Sequence, residues 1–201
     1  ALQRHGGALL ADPVGSGKTW IALAVACSLE EVVTAVVPAS LQGQWKSTAT
    51  RVGIPIRLIS HEAISRGQLP DGNATLALVD ECHRFRNPAT RRYATLAQWL
   101  IGRRALLLTG TPVVNRLEDL AHQLLLSVRD DSLRGRGLGS VLESLREGVA
   151  HPALGELVLS RPRPTDTPGV LSRDLPHQSA PEENALMTDL RRLRLSREPG
   201  T

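Results

Sequence analysis

Lysine is nearly absent from this 201-residue chain, which holds 24 Lys and Arg residues but lysine only at positions 18 and 46. A sequence that otherwise uses the guanidinium fork keeps lysine where a compact ammonium is needed. Aromatic residues make up only 2% of the chain, so each tryptophan is first a candidate for core packing. There are two cysteines, Cys27 and Cys82, far apart and without a second Cys or a His pair at metal spacing. That excludes a disulfide framework and a zinc site and makes a reducing compartment the default. No apolar run approaches membrane-spanning length, and the N-terminus lacks the basic, apolar and small-residue order of a signal peptide. The expectation is a soluble cytoplasmic protein, in the cytoplasm or nucleoid of a bacterium or the nucleus of a eukaryote. No internal repeat is visible, and Ala1 in place of an initiator Met fits either processing or a fragment.

What is present fits one domain with an appendage. The 41% hydrophobic content suffices for a single buried core. The net charge of +4 suits a polyanion only weakly, since a modest excess spread over a whole chain also fits plain solvated surface.

The most informative stretch runs from Leu9 to Thr19, where an apolar run enters Asp12-Pro13-Val14-Gly15-Ser16-Gly17-Lys18-Thr19. Gly15 and Gly17 allow positive φ and close approach of a ligand, so that successive N–H groups around Ser16 converge on phosphate at the start of a helix. Lys18 then reaches the β and γ phosphates and the Thr19 hydroxyl a magnesium ion. Asp12 stands where the strict phosphate-loop pattern has glycine. A Gly/Ser turn with a surface lysine is the bland alternative, and the scarcity of lysine argues against it.

Along the chain, Ala8 to Ala11 reads as a buried strand and Lys18 to Leu29 as a helix placed directly on the loop. Strands follow at Val32 to Val37, Ile56 to Ile59, Leu76 to Val79 and Ala105 to Leu108. Ser40 is a candidate cap for the helix carrying Trp45, and the segment from Arg66 to Asn73 is a surface loop. Asn87-Pro88 marks a helix start, with Ala94, Leu96, Ala97, Leu100 and Ile101 as the apolar face. Polar motifs sit at the carboxyl ends of the strands, which describes a parallel α/β sheet with its ligand along one edge. After Val128 the composition turns to Arg, Gly, Asp and Ser, with a helix from Ser140 to Gly148. A proline-rich stretch follows from Pro162 to Pro181, then helical spacing through Leu186, Leu190 and Leu193. The domain reading is a lobe over 1–127 and an extension over 128–201.

Asp80 and Glu81 end a hydrophobic strand downstream of the phosphate loop, the order that magnesium-nucleotide chemistry needs. Asp80 would hold the ion through water and Glu81 would polarise the attacking water.

Asp80-Glu81-Cys82-His83 resembles the DExH box of helicase superfamily 2, and the run D-E-C-H-R-F-R-N over 80–87 resembles that of its Swi/Snf-type translocases. Residues 10–19 resemble the family's motif I, which commonly carries Asp at the position of Asp12. Residues 36–45, V-V-P-A-S-L-Q-G-Q-W, resemble motif Ia; residues 59–62 motif Ib; and residues 108–115, L-T-G-T-P-V-V-N, motif III. The resemblance covers roughly residues 8–127.

The resemblance implies a RecA-like P-loop three-layer sandwich, the first lobe of a DNA-dependent ATPase using ATP and Mg2+. By it, Lys18 and Thr19 bind the nucleotide and the metal, and Asp80 and Glu81 act as above. His83, Thr109, Gly110 and Thr111 couple nucleotide state to nucleic acid. Ser40, Trp45 and Ser60 lie near the phosphate backbone of bound DNA, with plain core as the alternative for Trp45. The family's upstream glutamine motif has no place here, Gln3 being too close to the loop. Motifs IV to VI and their arginine fingers are absent, so a second RecA-like lobe must come from downstream or in trans. An arginine from the tail, Arg161 or Arg163, could complete the site instead. The alternatives are a strand-separating DExH-type DNA or RNA helicase, or a truncated nucleotide-binding protein without turnover.

Overall fold

A computed structural model describes residues 1–70, 72–113 and 115–161. The Pro162 to Pro181 stretch, the 186–193 helical pattern and Arg163 lie outside the described residues.

Six parallel strands form one sheet in the order β3-β2-β4-β5-β1-β6. They are β1 Gly7–Leu10, β2 Val33–Val37, β3 Ile56–Ser60, β4 Leu76–Val79, β5 Arg104–Leu108 and β6 Val158–Leu159. Parallel strands need crossovers, and helices supply most of them: α2 Lys18–Leu29, α3 Gln42–Val52, α4 His61–Ser65, α5 Arg91–Leu100, α6 Leu117–Leu124 and α7 Val141–Arg146, after a short α1 Leu2–His5. Because both faces of the sheet are covered, β1, β2 and β4 are buried along their whole length.

Side chains alternate across the sheet, so two cores form. Leu10, Ala35, Leu76, Leu78 and Leu108 face α2 and α3, meeting Leu23, Ala26, Trp45 and Ala49. Leu9, Val36, Ala77, Val79 and Leu107 face the other way, against Ile64, Leu96, Trp99, Leu124, Val141 and Leu145.

The helix on the phosphate loop runs over the expected residues. α5 does not begin at Asn87-Pro88: Asn87 Oδ1 accepts from the Ala89 amide in a local turn, and Thr90 is the cap, its hydroxyl accepting from the Tyr93 amide. On α5, Thr95 and Trp99 are buried with Leu96 and Leu100, while Ala94 and Ile101 are exposed. Ser140 caps α7 by accepting from the Glu143 amide. The composition change at Val128 is not a structural boundary, because Leu133, Val141, Leu145, Leu154 and Leu157 join the core of the preceding strands. β6 then adds to the outer edge of β1. Among the described residues no helix is long and apolar enough to cross a membrane.

Candidate nucleotide site

The carboxyl ends of β1, β4 and β5 lie side by side, since β4 pairs with β5 and β5 with β1. The loop from Ala11 to Gly17 leaves β1 there. Gly15 and Gly17 take φ of 82° and 80°, the left-handed region where a side chain is strained, and Gly17 is the N-cap of α2. The first-turn amides of α2, at Lys18 and Thr19, have no intrahelical partner and lie at the positive end of the helix dipole. Lys18 Nζ folds back onto the loop, donating to the carbonyls of Asp12 at 2.9 Å and Pro13 at 3.0 Å. Ser16 is exposed and Thr19 half-buried.

Gly110, just past β5, packs on this loop. A Cβ there would lie 2.8 Å from Val14 Cγ2 and 3.6 Å from Lys18 Nζ, so the two motifs touch only because the residue is glycine.

Asp80 follows β4 and is buried. Its Oδ2 accepts from the indole Nε1 of Trp45 at 2.9 Å and its Oδ1 from the Glu81 amide at 3.0 Å. Glu81 has φ 47°, a left-handed conformation that turns the chain sharply into the 3-10 turn Cys82–Phe85. His83 Nδ1 is 3.1 Å from Glu81 Oε2 and 3.1 Å from Thr109 Oγ1. A carboxylate can only accept, so Nδ1 carries the hydrogen. Burial lowers the His83 pKa, as do the Arg84 and Arg86 charges, against the opposing pull of Glu81 and Asp80. Thr109 is fully buried and its hydroxyl accepts from the Thr111 amide at 3.0 Å. Glu81, His83, Thr109 and Thr111 thus form one chain of contacts joining β4 to β5, with Gly110 between it and the phosphate loop.

Three features escaped the sequence reading. Asp12, which breaks the glycine pattern, is fully buried; its Oδ1 accepts from the Arg161 amide at 2.8 Å and its Oδ2 pairs with the Arg161 guanidinium. Burial would raise the Asp12 pKa, but the Arg161 hydrogen bonds and charge, with a contribution from Lys18, hold it below the usual value. Gln123 of α6 is buried, accepting from Cys82 Sγ at 3.3 Å and donating to the carbonyls of Pro112 and Asp119. His61 is buried edge-on against Phe85 with ring centroids 4.8 Å apart, and neither ring nitrogen has a hydrogen-bond partner among the described residues. Burial pushes its imidazole down to about 4, assisted by the Arg84 charge. The backbones of Asp80 and Val36 and the Glu62 carboxylate act the other way without making a proper hydrogen bond.

The candidate nucleic-acid contacts divide. Trp45 is 1% exposed and bonded to Asp80, so it cannot touch a bound strand; it is core, and it braces the acidic pair. Ser40 does not cap α3. It sits exposed inside the 3-10 turn Ala39–Leu41, and the N-cap position falls on Leu41. Ser60 is half-buried at the end of β3 and caps α4, accepting from the Ala63 amide at 3.1 Å.

A parallel sheet with a glycine loop closing on Lys-Thr after β1 and an acidic pair after β4 defines a RecA-like P-loop fold. The model of the SNF2-related domain family matches residues 52–137. The uncharacterized ATP-dependent helicase YqhH of Bacillus subtilis is 29% identical over 94% of this chain and 40% of its own length. The mouse DNA repair and recombination protein RAD54-like is 37% identical over 38% of this chain and 10% of its own. Among solved structures, the Sulfolobus solfataricus SWI2/SNF2 ATPase core in complex with dsDNA shares the fold, with a TM-score of 0.51 and 19% identity over 77% of this chain and 40% of that one. The chain is thus similar, over part of its length, to Swi/Snf-type proteins of helicase superfamily 2. It spans at most about 40% of the length of these relatives.

Proposed function

We propose that this chain is the ATP-binding first lobe of a DNA-dependent ATPase that moves along duplex DNA. The observation that carries the reading is the contact chain from Glu81 through His83 to Thr109 and Thr111, which ties the acidic pair to the strand end beside the phosphate loop. In this reading the loop amides and Lys18 hold the phosphates, with Lys18 exchanging the Asp12 and Pro13 carbonyls for phosphate oxygens.

The donor set fits a magnesium ion. Thr19 supplies a hydroxyl and Asp80 a buried carboxylate, both hard oxygen donors, while the described residues contain no cluster of three His, Cys, Asp or Glu able to hold a metal alone. Magnesium in nucleotide sites takes one or two protein oxygens and completes its shell with phosphates and water. When bound, it neutralises charge on the phosphates. Trp45 and the Glu81 amide hold the Asp80 carboxylate in place, and Glu81 orients the attacking water. His83 and Thr109 would report the position of Glu81 to the nucleic-acid side, where Ser40 and Ser60 lie at the ends of β2 and β3. The dsDNA named for the Sulfolobus structure and the DNA-repair relatives support duplex DNA as the partner.

A second lobe would supply the arginine that stabilises the transferred phosphoryl group, an effect worth roughly a thousandfold or more. Arg161 is held on Asp12 and does not reach out from the loop. The isolated chain should therefore bind magnesium nucleotide and turn it over negligibly. Calorimetry with Lys18→Ala tests the site: equal affinity in the variant would refute it. In the complete protein, hydrolysis stimulated by blunt duplex and not by single strands or RNA would separate a translocase from a strand-separating helicase.

A further inference from the structure

The loop that receives phosphate carries a buried acid at its root. Asp12 is 0% exposed, and an unpaired carboxylate in such a place takes up a proton or recruits the nearest cation. Two cations compete for it. Arg161 presents its backbone amide to Oδ1 and its guanidinium to Oδ2. Lys18 has its ammonium 2.9 Å from the carbonyl of the same residue, and its charge already helps keep the Asp12 carboxyl ionised. Arg161 is delivered by the edge strand: the Ala11 amide donates to the Leu159 carbonyl, and the Ser160 hydroxyl to the Ala11 carbonyl.

We propose that Arg161 saturates the Asp12 carboxylate so that Lys18 stays free to bind phosphate, which makes Arg161 a positioning residue of the nucleotide site. The inference rests on the nucleotide-binding reading above. The guanidinium meets Oδ2 through both Nε and Nη2 while the Arg161 amide meets Oδ1, so one residue engages both carboxylate oxygens. The arginine side chain is 63% exposed, so its removal deletes little packing and its effect is electrostatic. The pairing also ties the phosphate loop to the segment that follows the last strand, so occupancy of the site and attachment of that segment are reciprocally linked.

The test compares the 201-residue chain with Arg161→Ala, Asp12→Asn and the double variant, each checked for folding by urea melting. Two readouts are used: the Kd for magnesium-ADP by calorimetry, and acylation of Lys18 by an amine-reactive ester at fixed pH. Lys46, the other lysine of the chain, serves as internal reference. Arg161→Ala should weaken ADP binding roughly tenfold and slow Lys18 acylation roughly threefold, because the freed carboxylate captures the ammonium. The double variant should recover both, since no acid remains to compete. Unchanged values in Arg161→Ala, or a double variant as impaired as the single, would overturn the proposal. Should the wild-type chain bind no nucleotide, the nucleotide reading fails, and acylation still decides: a slowed Lys18 in Arg161→Ala upholds the competition and an unchanged one refutes it.

Discussion

The indole Nε1 of Trp45 donates a 2.9 Å hydrogen bond to Oδ2 of Asp80, across the space between α3 and the end of β4. The tryptophan therefore holds one of the two carboxylate oxygens of the residue proposed to face the metal. Trp45→Phe keeps most of the packing and removes the donor. Leaving a buried acceptor unsatisfied costs about 1–3 kcal/mol, whereas Trp45→Ala should cost about 3–5 kcal/mol. Urea melting measures both. Calorimetry should show magnesium-nucleotide binding weakened in Trp45→Phe beyond any loss of folded protein, and an unchanged affinity would detach Trp45 from the site.

Two glycines in different surroundings make a paired prediction. Gly110→Ala drives a methyl group to 2.8 Å from Val14 Cγ2 and should displace the phosphate loop, lowering nucleotide affinity. Gly43 lies in α3 with open space around its Cβ, so Gly43→Ala should stabilise the chain by up to about 1 kcal/mol through helix propensity. Thermal melting and calorimetry on both variants check this, and loss of stability in Gly43→Ala would contradict the geometry of α3.

Thr109→Val removes the hydroxyl that meets His83 and accepts from the Thr111 amide, at nearly constant volume. In the complete protein, nucleotide binding should persist while stimulation of hydrolysis by DNA falls. A variant with wild-type stimulation would show that the contact chain is structural only.

His61 predicts how stability depends on pH. Its folded pKa of about 4 lies below the ordinary 6.5, so the unfolded chain binds a proton that the folded chain refuses. The stability tied to this residue is complete above pH 6.5 and is lost as pH falls from 6.5 to 4. Two and a half units correspond to a loss on the order of 3 kcal/mol. His61→Leu should flatten the urea midpoint over that range, leaving a smaller slope in the same direction from His83. An unaltered profile would show that the imidazole is not excluded from solvent.

For the nucleic-acid side, duplex binding should weaken steeply with salt and ignore sequence, as contact with phosphates requires. Ser40→Glu with Ser60→Glu sets negative charge against those phosphates and should weaken binding further, read by fluorescence anisotropy. Unchanged affinity would move the DNA to the arginine-rich stretch at 129–136.

Strands, the helix on the phosphate loop and the two acidic residues were legible because each rests on local pattern: apolar runs of strand length, glycines at a turn, polar residues at strand ends. What was not legible depends on partners distant in sequence. The resemblance to motif I accounts for an acid at Asp12 but not for its partner, since Arg161 comes 149 residues later to pair with it. Trp45 could be core or contact on spacing alone, and only the packing of α3 against the sheet turns its indole to Asp80. Asn87-Pro88 is a sound helix-start signal that lost to Thr90, whose hydroxyl caps the first turn after Asn87 has been used in a turn of its own. The composition change at Val128 hid apolar residues that complete the core, because surface arginines and glycines dominate the stretch between them.

The outermost strand gives the lobe an order of assembly. β1 lies between β5 and β6, with Leu9 in register with Leu107 on one side and Val158 on the other. Leu107 lies 98 residues and Val158 149 residues beyond Leu9, so the strand that carries the phosphate loop pairs on both sides with segments distant in sequence. Pairings of such wide sequence separation form slowly, since loop closure must precede the contacts that reward it. During vectorial synthesis the strand must wait, exposed or chaperoned, until both of its neighbours have been made. The loop between β1 and α2 therefore takes its final setting late, when Arg161 comes to rest on Asp12.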